Sequence, residues 1–355
     1  MADHLSPPAG WALGADRPRD VLCLGTALVD HLVLVPDHLP AELGFAKGSM
    51  NLVDVAGSGA IRSAVGEGRV RSGGTTANTA VGVASFGGRS AFVGAVGADA
   101  DGQGYVADLE AAGVEAILER HPAGDGEAAT GRCVVMVTPD AERTMATALG
   151  LGPYLDHGAI DAGLVGASKL AYLDGYVLDF PDAPAILERL VASAKAVGTV
   201  LAFGLADSFV VERHRAALER LVSGPVDLLF ANEAEATMLT GAGDGLAAAT
   251  ALAREARVVV VTLGAAGAVV ATSAGRVEVA AEPVGEVVDA TGAGDLFAAG
   301  FCFGVTNGYG LADAARLGAL AASEVIGHLG ARPEQSLAKL AEARGLLAGS
   351  GPTSS

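Results

Sequence analysis

One twelve-residue segment near the carboxyl end holds the residues best suited to chemistry. It reads Asp-Ala-Thr-Gly-Ala-Gly-Asp-Leu-Phe-Ala-Ala-Gly over residues 289–300 and opens an apolar, Ala-rich run. Gly292 and Gly294 permit a sharp turn and a close approach to a ligand, and the first turn of a following helix leaves N–H groups unpaired. With Ala293 between them, these amides predict an anion site that stabilises charge on a transferring phosphoryl group.

Asp295 lies at the mouth of this predicted anion site. Its carboxylate could accept the proton of an attacking hydroxyl group. Negative charge beside a phosphate is unfavourable unless the carboxylate must meet the nucleophile, so its position favours a catalytic base. The alternative is a simple helix cap, because aspartate is common at helix starts. The segment predicts phosphoryl transfer from ATP to an alcohol, with Asp295 at the chemical step.

The elements that must position these residues alternate between short β-rich runs and Ala- and Leu-rich helical stretches, a pattern typical of parallel strands joined by crossover helices. The expected strands are Val21–Leu24, Ser90–Val96, Lys169–Leu173, Thr199–Phe203, Val226–Phe230 and Val258–Thr262. The expected helices are Thr76–Phe86, Gly104–Ala112, Pro184–Val197, Glu233–Leu239, Gly294–Phe303 and Leu311–Ile326. The sequence therefore predicts an α/β core.

Two segments, 31–71 and 113–149, interrupt this alternation with β-rich stretches, and the first contains no good helix. We expect them to form a small β lid over a ligand cleft; two unrelated surface loops are the alternative. The α/β core then comprises residues 20–30, 72–112 and 150–345. Residues 1–19 and 346–355 lack an apolar period and are expected to be mobile tails.

Composition limits the classes of partner. Apolar residues make up 51% and charged residues 18%, which excludes disorder for most of the chain. The net charge of −18 disfavours nucleic acid and acidic membranes. Cys23, Cys133 and Cys302 are widely spaced in apolar stretches and indicate buried free thiols. With no secretory signal and no membrane segment evident, we expect a cytoplasmic enzyme that binds a small molecule.

Together these motifs resemble the ribokinase-like, or PfkB, family of carbohydrate and nucleoside kinases. The family's hallmark Asp-Thr-x-Gly-Ala-Gly-Asp matches residues 289–295, with Ala290 and Thr291 at its second and third positions. A second hallmark, a Gly-Gly helix entrance, matches residues 73–78. The resemblance covers residues 20–345. It implies a three-layer α/β/α core with a mostly parallel sheet, a small β-sheet lid, and ATP with Mg²⁺ as cosubstrate and cofactor.

The resemblance also implies a substrate site near the amino end. Asp30 matches an acidic residue that accepts hydrogen bonds from sugar hydroxyls, with Thr26 close by. Gly73 and Gly74 would let the substrate lie against backbone, and Asn78 would offer it a donor and an acceptor. A turn aspartate and an ordinary helix start are the alternatives.

Further positions carry over to the nucleotide and its ions. Asn232 and Glu235 match an Asn-x-x-Glu motif associated with phosphate and, through water, magnesium, although such residues also occur at ordinary helix starts. Thr262, Gly264 and Gly267 match a nucleotide-side turn, for which a plain hairpin turn is the alternative.

The resemblance further places Asp289 and Thr291 near a monovalent-cation site, so K⁺ activation is a hypothesis. Arg143, in the second lid segment, matches an arginine that reaches the phosphoryl group as the lid closes; a solvated turn arginine is the alternative.

The sequence is further similar to bacterial family members described as adenosine kinases in six segments, residues 47–51, 143–145, 172–176, 211–215, 230–235 and 327–333. This resemblance makes a nucleoside the expected acceptor. Thr26 and Gly204 depart from that pattern, so a sugar such as ribose, fructose or 2-keto-3-deoxygluconate is the alternative. A non-catalytic nucleotide or sugar sensor is another. An enzyme that binds a dinucleotide is disfavoured because the first strand lacks a Gly-x-Gly-x-x-Gly turn. A lid edge leaves both monomer and homodimer open.

Overall fold

The structure, a computed structural model, describes residues 5–14, 16–122, 129–140 and 142–347. Within these residues the chain forms fourteen strands and twelve helices. The strands are β1 (Arg19–Leu24), β2 (Leu28–Leu34), β3 (Met50–Leu52), β4 (Arg69–Gly73), β5 (Ser90–Gly97), β6 (Glu115–His121), β7 (Gly131–Val137), β8 (Arg143–Ala148), β9 (Ser168–Asp174), β10 (Val200–Gly204), β11 (Leu228–Asn232), β12 (Val258–Thr262), β13 (Ala268–Thr272) and β14 (Gly275–Val279). The helices are α1 (Leu39–Glu42), α2 (Val55–Val65), α3 (Thr75–Ser85), α4 (Ala100–Ala111), α5 (Ala162–Gly166), α6 (Ala183–Val197), α7 (Ser208–Val222), α8 (Glu233–Thr240), α9 (Gly245–Leu252), α10 (Ala293–Thr306), α11 (Leu311–Val325) and α12 (Leu337–Ala343).

Nine strands form the large sheet, in the order β14-β13-β12-β11-β10-β9-β1-β5-β6. The strands from β6 to β12 are parallel, and β13 and β14 add an antiparallel edge. Side chains from both faces of β12, whose sequence is Val-Val-Val-Val-Thr, are buried through residue 261. Burial on both faces explains the continuous apolar run, since helices cover each side of a parallel sheet.

Two apolar cores lie on opposite faces of this sheet. Alternate strand residues such as Cys23 and Phe92 pack with side chains of α3, α10 and α11, while Leu22 and Val93 belong to a second core with α6, α7 and α9. This alternation follows from the two-residue period of a strand. The expected three-layer α/β/α core and its six strands and six helices are confirmed, and the three cysteines are free and buried.

Five strands form the smaller sheet, in the order β3-β8-β7-β2-β4. Helix α2 packs on one face of it, against Val134, Met136 and Ala146. The intervening residues Cys133 and Met145 belong to a separate apolar cluster on the other face. The small lid sheet of the expected fold is therefore present.

Three details differ from the sequence-based expectation. Strand β6 pairs with β5, so the segment 113–149 contributes only β7 and β8 to the lid. Segment 31–71 contains the eleven-residue helix α2, which begins after a cap in which Asp54 accepts the N–H of Gly57. The expected bounds of the α/β core and the β lid as separate folding units stay a prediction.

The third difference concerns the expected tails. Residues 5–14 and 16–19 pack on the core: the Leu311 N–H donates to the Leu5 carbonyl at 2.9 Å, and Trp11 is buried. Leu346 and Leu347 also pack against the core. Residues 1–4 and 348–355 of the expected tails lie outside the described residues. Throughout the described part of the chain, no helix has the length and apolar character needed to cross a membrane.

Candidate active site

A cleft of about 540 Å³ lies between the lid sheet and the carboxyl ends of the large sheet's strands. Crevices at this end of parallel sheets commonly bind ligands. Of the residues expected from the sequence, those lining it are Thr26, Asp30, Gly74, Asn78, Asn232, Glu235, Thr262, Thr291, Gly292, Gly294 and Asp295. Those outside its lining are Gly73, Arg143, Gly264, Gly267, Asp289 and Ala293. The fold thus brings substrate-side and nucleotide-side residues to one cavity.

The turn that begins α10 opens on this cleft. Gly292 has a φ of 79°, and a Cβ there would lie 2.7 Å from Ala331, so both the conformation and the packing require glycine. The Ala293 N–H donates to the Ala290 carbonyl at 3.3 Å. Within the described residues, the amides of Gly292, Gly294 and Asp295 have no hydrogen-bond acceptor. The turn therefore offers unpaired N–H groups at a helix start, as the sequence suggests.

Asp295 faces the cleft from the first turn of α10, three residues after the N-cap residue Gly292. Its carboxylate accepts the Asn78 amide N–H at 2.9 Å. Although the residue is partly exposed at the cleft, burial by the surrounding protein raises its pKa to about 7, and Asp174 and Asp30 add to the rise. A carboxylate with a pKa near neutrality, facing a cavity, is suited to proton transfer.

Asp30 lies on β2, and its carboxylate occupies the space beside Gly73. A Cβ at Gly73 would come within 2.3 Å of an Asp30 oxygen, so this glycine makes room for the carboxylate. Burial raises the pKa of Asp30 to about 7, against the opposing effect of the Arg332 and Arg143 charges. Asp30 thus brings a carboxylate to the cleft, and its contact with a substrate hydroxyl stays a prediction.

Asn232 and Glu235 form a capping box at the start of α8. The Asn232 side chain accepts the Glu235 N–H at 2.8 Å, and the Glu235 carboxylate accepts the backbone and side-chain N–H groups of Asn232 at 3.0 and 2.7 Å. Burial raises the pKa of Glu235 to about 7. Both residues therefore cap the start of α8, and both also line the cleft.

Thr262 ends β12 and lines the cleft, whereas Gly264 and Gly267 form the turn of the antiparallel β12–β13 hairpin beside it. The hairpin alternative describes this turn correctly. Its part in nucleotide binding stays a prediction.

Arg143, the first residue of β8, contacts the turn before α10. Its guanidinium forms an ion pair with Asp289 and donates to the Thr291 hydroxyl. Asp289 also accepts N–H groups from Thr291 at 2.9 Å and Gly330 at 2.8 Å. The arginine is thus neither a solvated turn residue nor part of the cleft lining; its contact with a phosphoryl group stays a prediction.

Three residues of the site were not assigned a role from the sequence. Asp174 ends β9 in the cleft, accepts bonds from the Thr75 hydroxyl and the Tyr176 N–H, and has its pKa raised by burial to about 6. Arg332 donates to the side-chain amide oxygen of Asn78 at 3.3 Å and forms an ion pair with Asp108. Both residues lie in segments that share the family pattern, 172–176 and 327–333, but nothing in these segments alone assigns either residue a role.

The third unassigned residue, Tyr172, explains a departure noted in the sequence. Its ring lines the cleft, and its hydroxyl lies 2.7 Å from where a Cβ of residue 204 would be. Gly204 therefore leaves room for Tyr172, and a larger side chain at this strand end would collide with it.

The charged side chains that line the cleft are all acidic, although the charges of Arg143 and Arg332 act on Asp30 from outside the lining. Among the described residues that line it there is no lysine or arginine, and the carboxylates are Asp30, Asp174, Asp179, Asp207, Glu235 and Asp295. A phosphorylated ligand must therefore be attracted by backbone amides and by a metal ion that it carries.

Sequence relationships agree with this geometry. Residues 48–337 match the pfkB family carbohydrate kinase. The chain belongs to the PfkB family. An adenosine kinase from Sinorhizobium meliloti has a similar structure, with 40% identity and a TM-score of 0.86, covering 92% of this chain and 99% of that one. A probable sugar kinase from Rhizobium etli has 37% identity and a TM-score of 0.87, covering 94% and 100%. The adenosine kinase of Saccharomyces cerevisiae is 28% identical over 312 residues, covering 81% and 89%.

Membership of the PfkB family establishes the class of reaction. The protein is an ATP-dependent phosphotransferase that acts on a hydroxyl group of a small nucleoside or sugar. The ribokinase-like fold expected from the hallmark motifs is confirmed.

Proposed function

We propose that this PfkB kinase transfers the γ-phosphoryl group of ATP to the 5′-hydroxyl of a nucleoside, adenosine being the leading acceptor. The observation that carries the proposal is the Asp295 carboxylate in the cleft beside the unpaired amides of Gly292 and Gly294. A base and an anion site next to each other are what phosphoryl transfer to an alcohol requires.

Each group has a separate task in this mechanism. Asp295 accepts the proton of the acceptor hydroxyl, and its pKa of about 7 leaves much of it ionised at neutral pH. The amides of the turn stabilise charge on the migrating phosphoryl group, an effect worth about 3 kcal/mol for one well-placed donor. Asp30 accepts a hydrogen bond from another acceptor hydroxyl and fixes its orientation.

Magnesium is expected with the nucleotide, and the site fits a metal of this kind. In the described part of the chain, no group of three or more histidine, cysteine or acidic side chains is arranged to hold a metal ion. Mg²⁺ often keeps several waters and binds through one or two carboxylates plus substrate phosphates. Asn232 and Glu235 would contact it through water, and it would neutralise phosphate charge in an acidic cleft.

The lid face supports a nucleoside over a free sugar. Leu28, Met50, Leu52, Met145 and Leu149 form an apolar wall of the cleft near Asp30. A purine base offers an apolar surface for such a wall, whereas a free sugar presents mainly hydroxyls. The 40% identity to the Sinorhizobium meliloti adenosine kinase supports the same choice. The buried free cysteines suit a cytoplasmic enzyme.

The proposal is tested by measuring phosphorylation of adenosine, ribose, fructose and 2-keto-3-deoxygluconate with ATP and Mg²⁺ under identical conditions. We expect kcat/KM for adenosine to exceed that of each sugar by at least about 100-fold, a transition-state difference of roughly 3 kcal/mol. A sugar preferred over adenosine would overturn the acceptor assignment. Ligand binding without turnover on any acceptor would indicate a sensor instead.

A further inference from the structure

The Asp289 carboxylate is fully buried, and all its contacts come from donors of the protein itself. One oxygen accepts the Thr291 N–H, and the other accepts the Gly330 N–H and pairs with the Arg143 guanidinium. The Arg143 side chain is itself 16% exposed. A buried carboxylate held by amides alone would keep an uncompensated charge, which is strongly destabilising. Arg143 provides the compensation.

This arrangement does not fit a K⁺ ion at the same place. The family resemblance assigns the ion to Asp289 and Thr291, and Arg143 contacts the oxygens of both side chains. An added cation would compete with a guanidinium for these oxygens and lie close to its positive charge. The two cations are therefore alternatives to each other.

We propose that the Arg143 guanidinium takes the place of the monovalent cation at Asp289, so that this kinase works without K⁺. The inference rests on the proposed kinase function for its catalytic meaning, because the turn that Asp289 anchors leads into the unpaired amides. Arg143 is a positioning residue in this respect: it fixes Asp289, and Asp289 fixes the turn through the N–H of Thr291.

The Arg143–Asp289 ion pair also links the lid to the anion site. Residues 143, 145 and 147 share one face of β8, and Met145 and Thr147 on that face line the cleft. A K⁺ ion would be independent of the lid, whereas this guanidinium belongs to it. Opening the lid would leave Asp289 without its countercharge, so closure of the lid and ordering of the turn are coupled.

Thermal unfolding of the unliganded protein tests the proposal without requiring turnover. Melting temperatures are compared in KCl, NaCl and N-methylglucamine chloride at equal ionic strength. The wild type should unfold at the same temperature in all three. Arg143→Met should lose roughly 5–10 °C in N-methylglucamine and recover about 3 °C or more in K⁺ but not in Na⁺. Arg143→Lys, which keeps a charge, should show no K⁺ response.

Two further variants control the comparison. Arg132→Met removes another ion pair between lid and core, with Asp101, and should lower the melting temperature equally in all salts. The double variant Arg143→Met/Asp289→Asn removes both buried charges, and should regain stability and lose any response to K⁺.

The proposal fails if K⁺ stabilises the wild type relative to Na⁺, or if Arg143→Met shows no selectivity for K⁺. It also fails if wild-type kcat on its acceptor is higher in K⁺ than in Na⁺. A chain that phosphorylates nothing would refute the proposed function while leaving the melting result to decide the cation question.

Discussion

Replacing Asp295 with asparagine separates its chemistry from its part in the fold. The new amide oxygen can still accept the Asn78 N–H, which lies 2.9 Å from the carboxylate in the wild type, because Arg332 holds the other end of the Asn78 amide. The substitution therefore removes a proton acceptor and a charge while retaining shape and hydrogen bonding. We expect kcat to fall roughly 10²- to 10⁴-fold, equivalent to about 3–5 kcal/mol in the transition state.

The same variant should be more stable than the wild type above neutral pH. The Asp295 pKa is about 7 in the folded protein against an ordinary value of 3.8. One pKa unit corresponds to about 1.4 kcal/mol, so the gain in free energy of unfolding is at most about 4 kcal/mol. Water in the cleft screens this half-buried group, which reduces the expectation to about 2 kcal/mol, or roughly 3–5 °C.

The sign follows from proton linkage. A raised folded-state pKa contributes stability that is fully present below the unfolded pKa and is lost as pH rises through the folded pKa. The stability difference between Asp295→Asn and the wild type should therefore be smaller at about pH 5 than at about pH 8. Denaturant unfolding at the two pH values, alongside steady-state kinetics, measures it.

Asp313→Asn is the matched control, because Asp313 lies in the first turn of α11 but is exposed and paired with Arg316. Loss of a favourable helix-dipole interaction should destabilise it by roughly 0.5 kcal/mol without affecting turnover. If Asp295→Asn behaves like this control, with near-normal turnover and slightly reduced stability, Asp295 serves the helix rather than the reaction.

Three further changes test other parts of the site. Leu52→Ser should raise KM for adenosine roughly tenfold and leave KM for ATP unchanged, because it removes apolar surface beside the base. Leu34→Ser, on the lid but away from the cleft, is the control and should alter neither KM. Equal effects of the two substitutions would contradict an apolar wall that contacts the base. We expect the wild-type rate to fall below about pH 7, where Asp295 becomes protonated. Arg332→Met should lower kcat about tenfold and shift this pH profile to higher pH, because a less firmly held Asn78 lowers the Asp295 pKa less. An unchanged pH profile would assign Arg332 a structural role alone. Glu235→Gln keeps an oxygen that can accept the Asn232 backbone N–H of the capping box, although it loses the acceptor for the Asn232 side-chain N–H. It should raise the Mg²⁺ concentration for half-maximal rate by roughly 3- to 10-fold, and an unchanged requirement would remove Glu235 from the metal's surroundings.

Strands buried on both faces were predictable because their sequences are continuously apolar. The Val258–Thr262 run and the Ala-rich helix that begins at residue 293 belong to this group. Gly292, in the turn before Asp295, was predictable for a different reason, since few residues other than glycine tolerate the backbone and packing at that position. These local requirements are visible in the sequence without knowledge of the rest of the fold.

Elements with weaker local signals were missed. Strand β6 is an edge strand with the sequence Glu-Ala-Ile-Leu-Glu-Arg-His, mostly half-buried, so it lacks the apolar run of a central strand. Helix α2 contains Gly57 and Gly59, which lower helix propensity, and its packing on the lid compensates.

Contacts between distant parts of the chain could not be read from the sequence at all. The Arg143–Asp289 ion pair and the Arg332–Asn78 hydrogen bond depend on tertiary structure. No spacing along the chain encodes them, because the partners come from separate elements.

The absence of lysine and arginine from the described lining of the cleft has a consequence for nucleotide selection. Uncomplexed ATP carries its full negative charge into a ring of carboxylates, whereas the magnesium complex enters with much of that charge neutralised. We therefore expect the cleft to favour the magnesium complex of the nucleotide over the uncomplexed form. We expect the same repulsion to act on a phosphate monoester product once the metal has left.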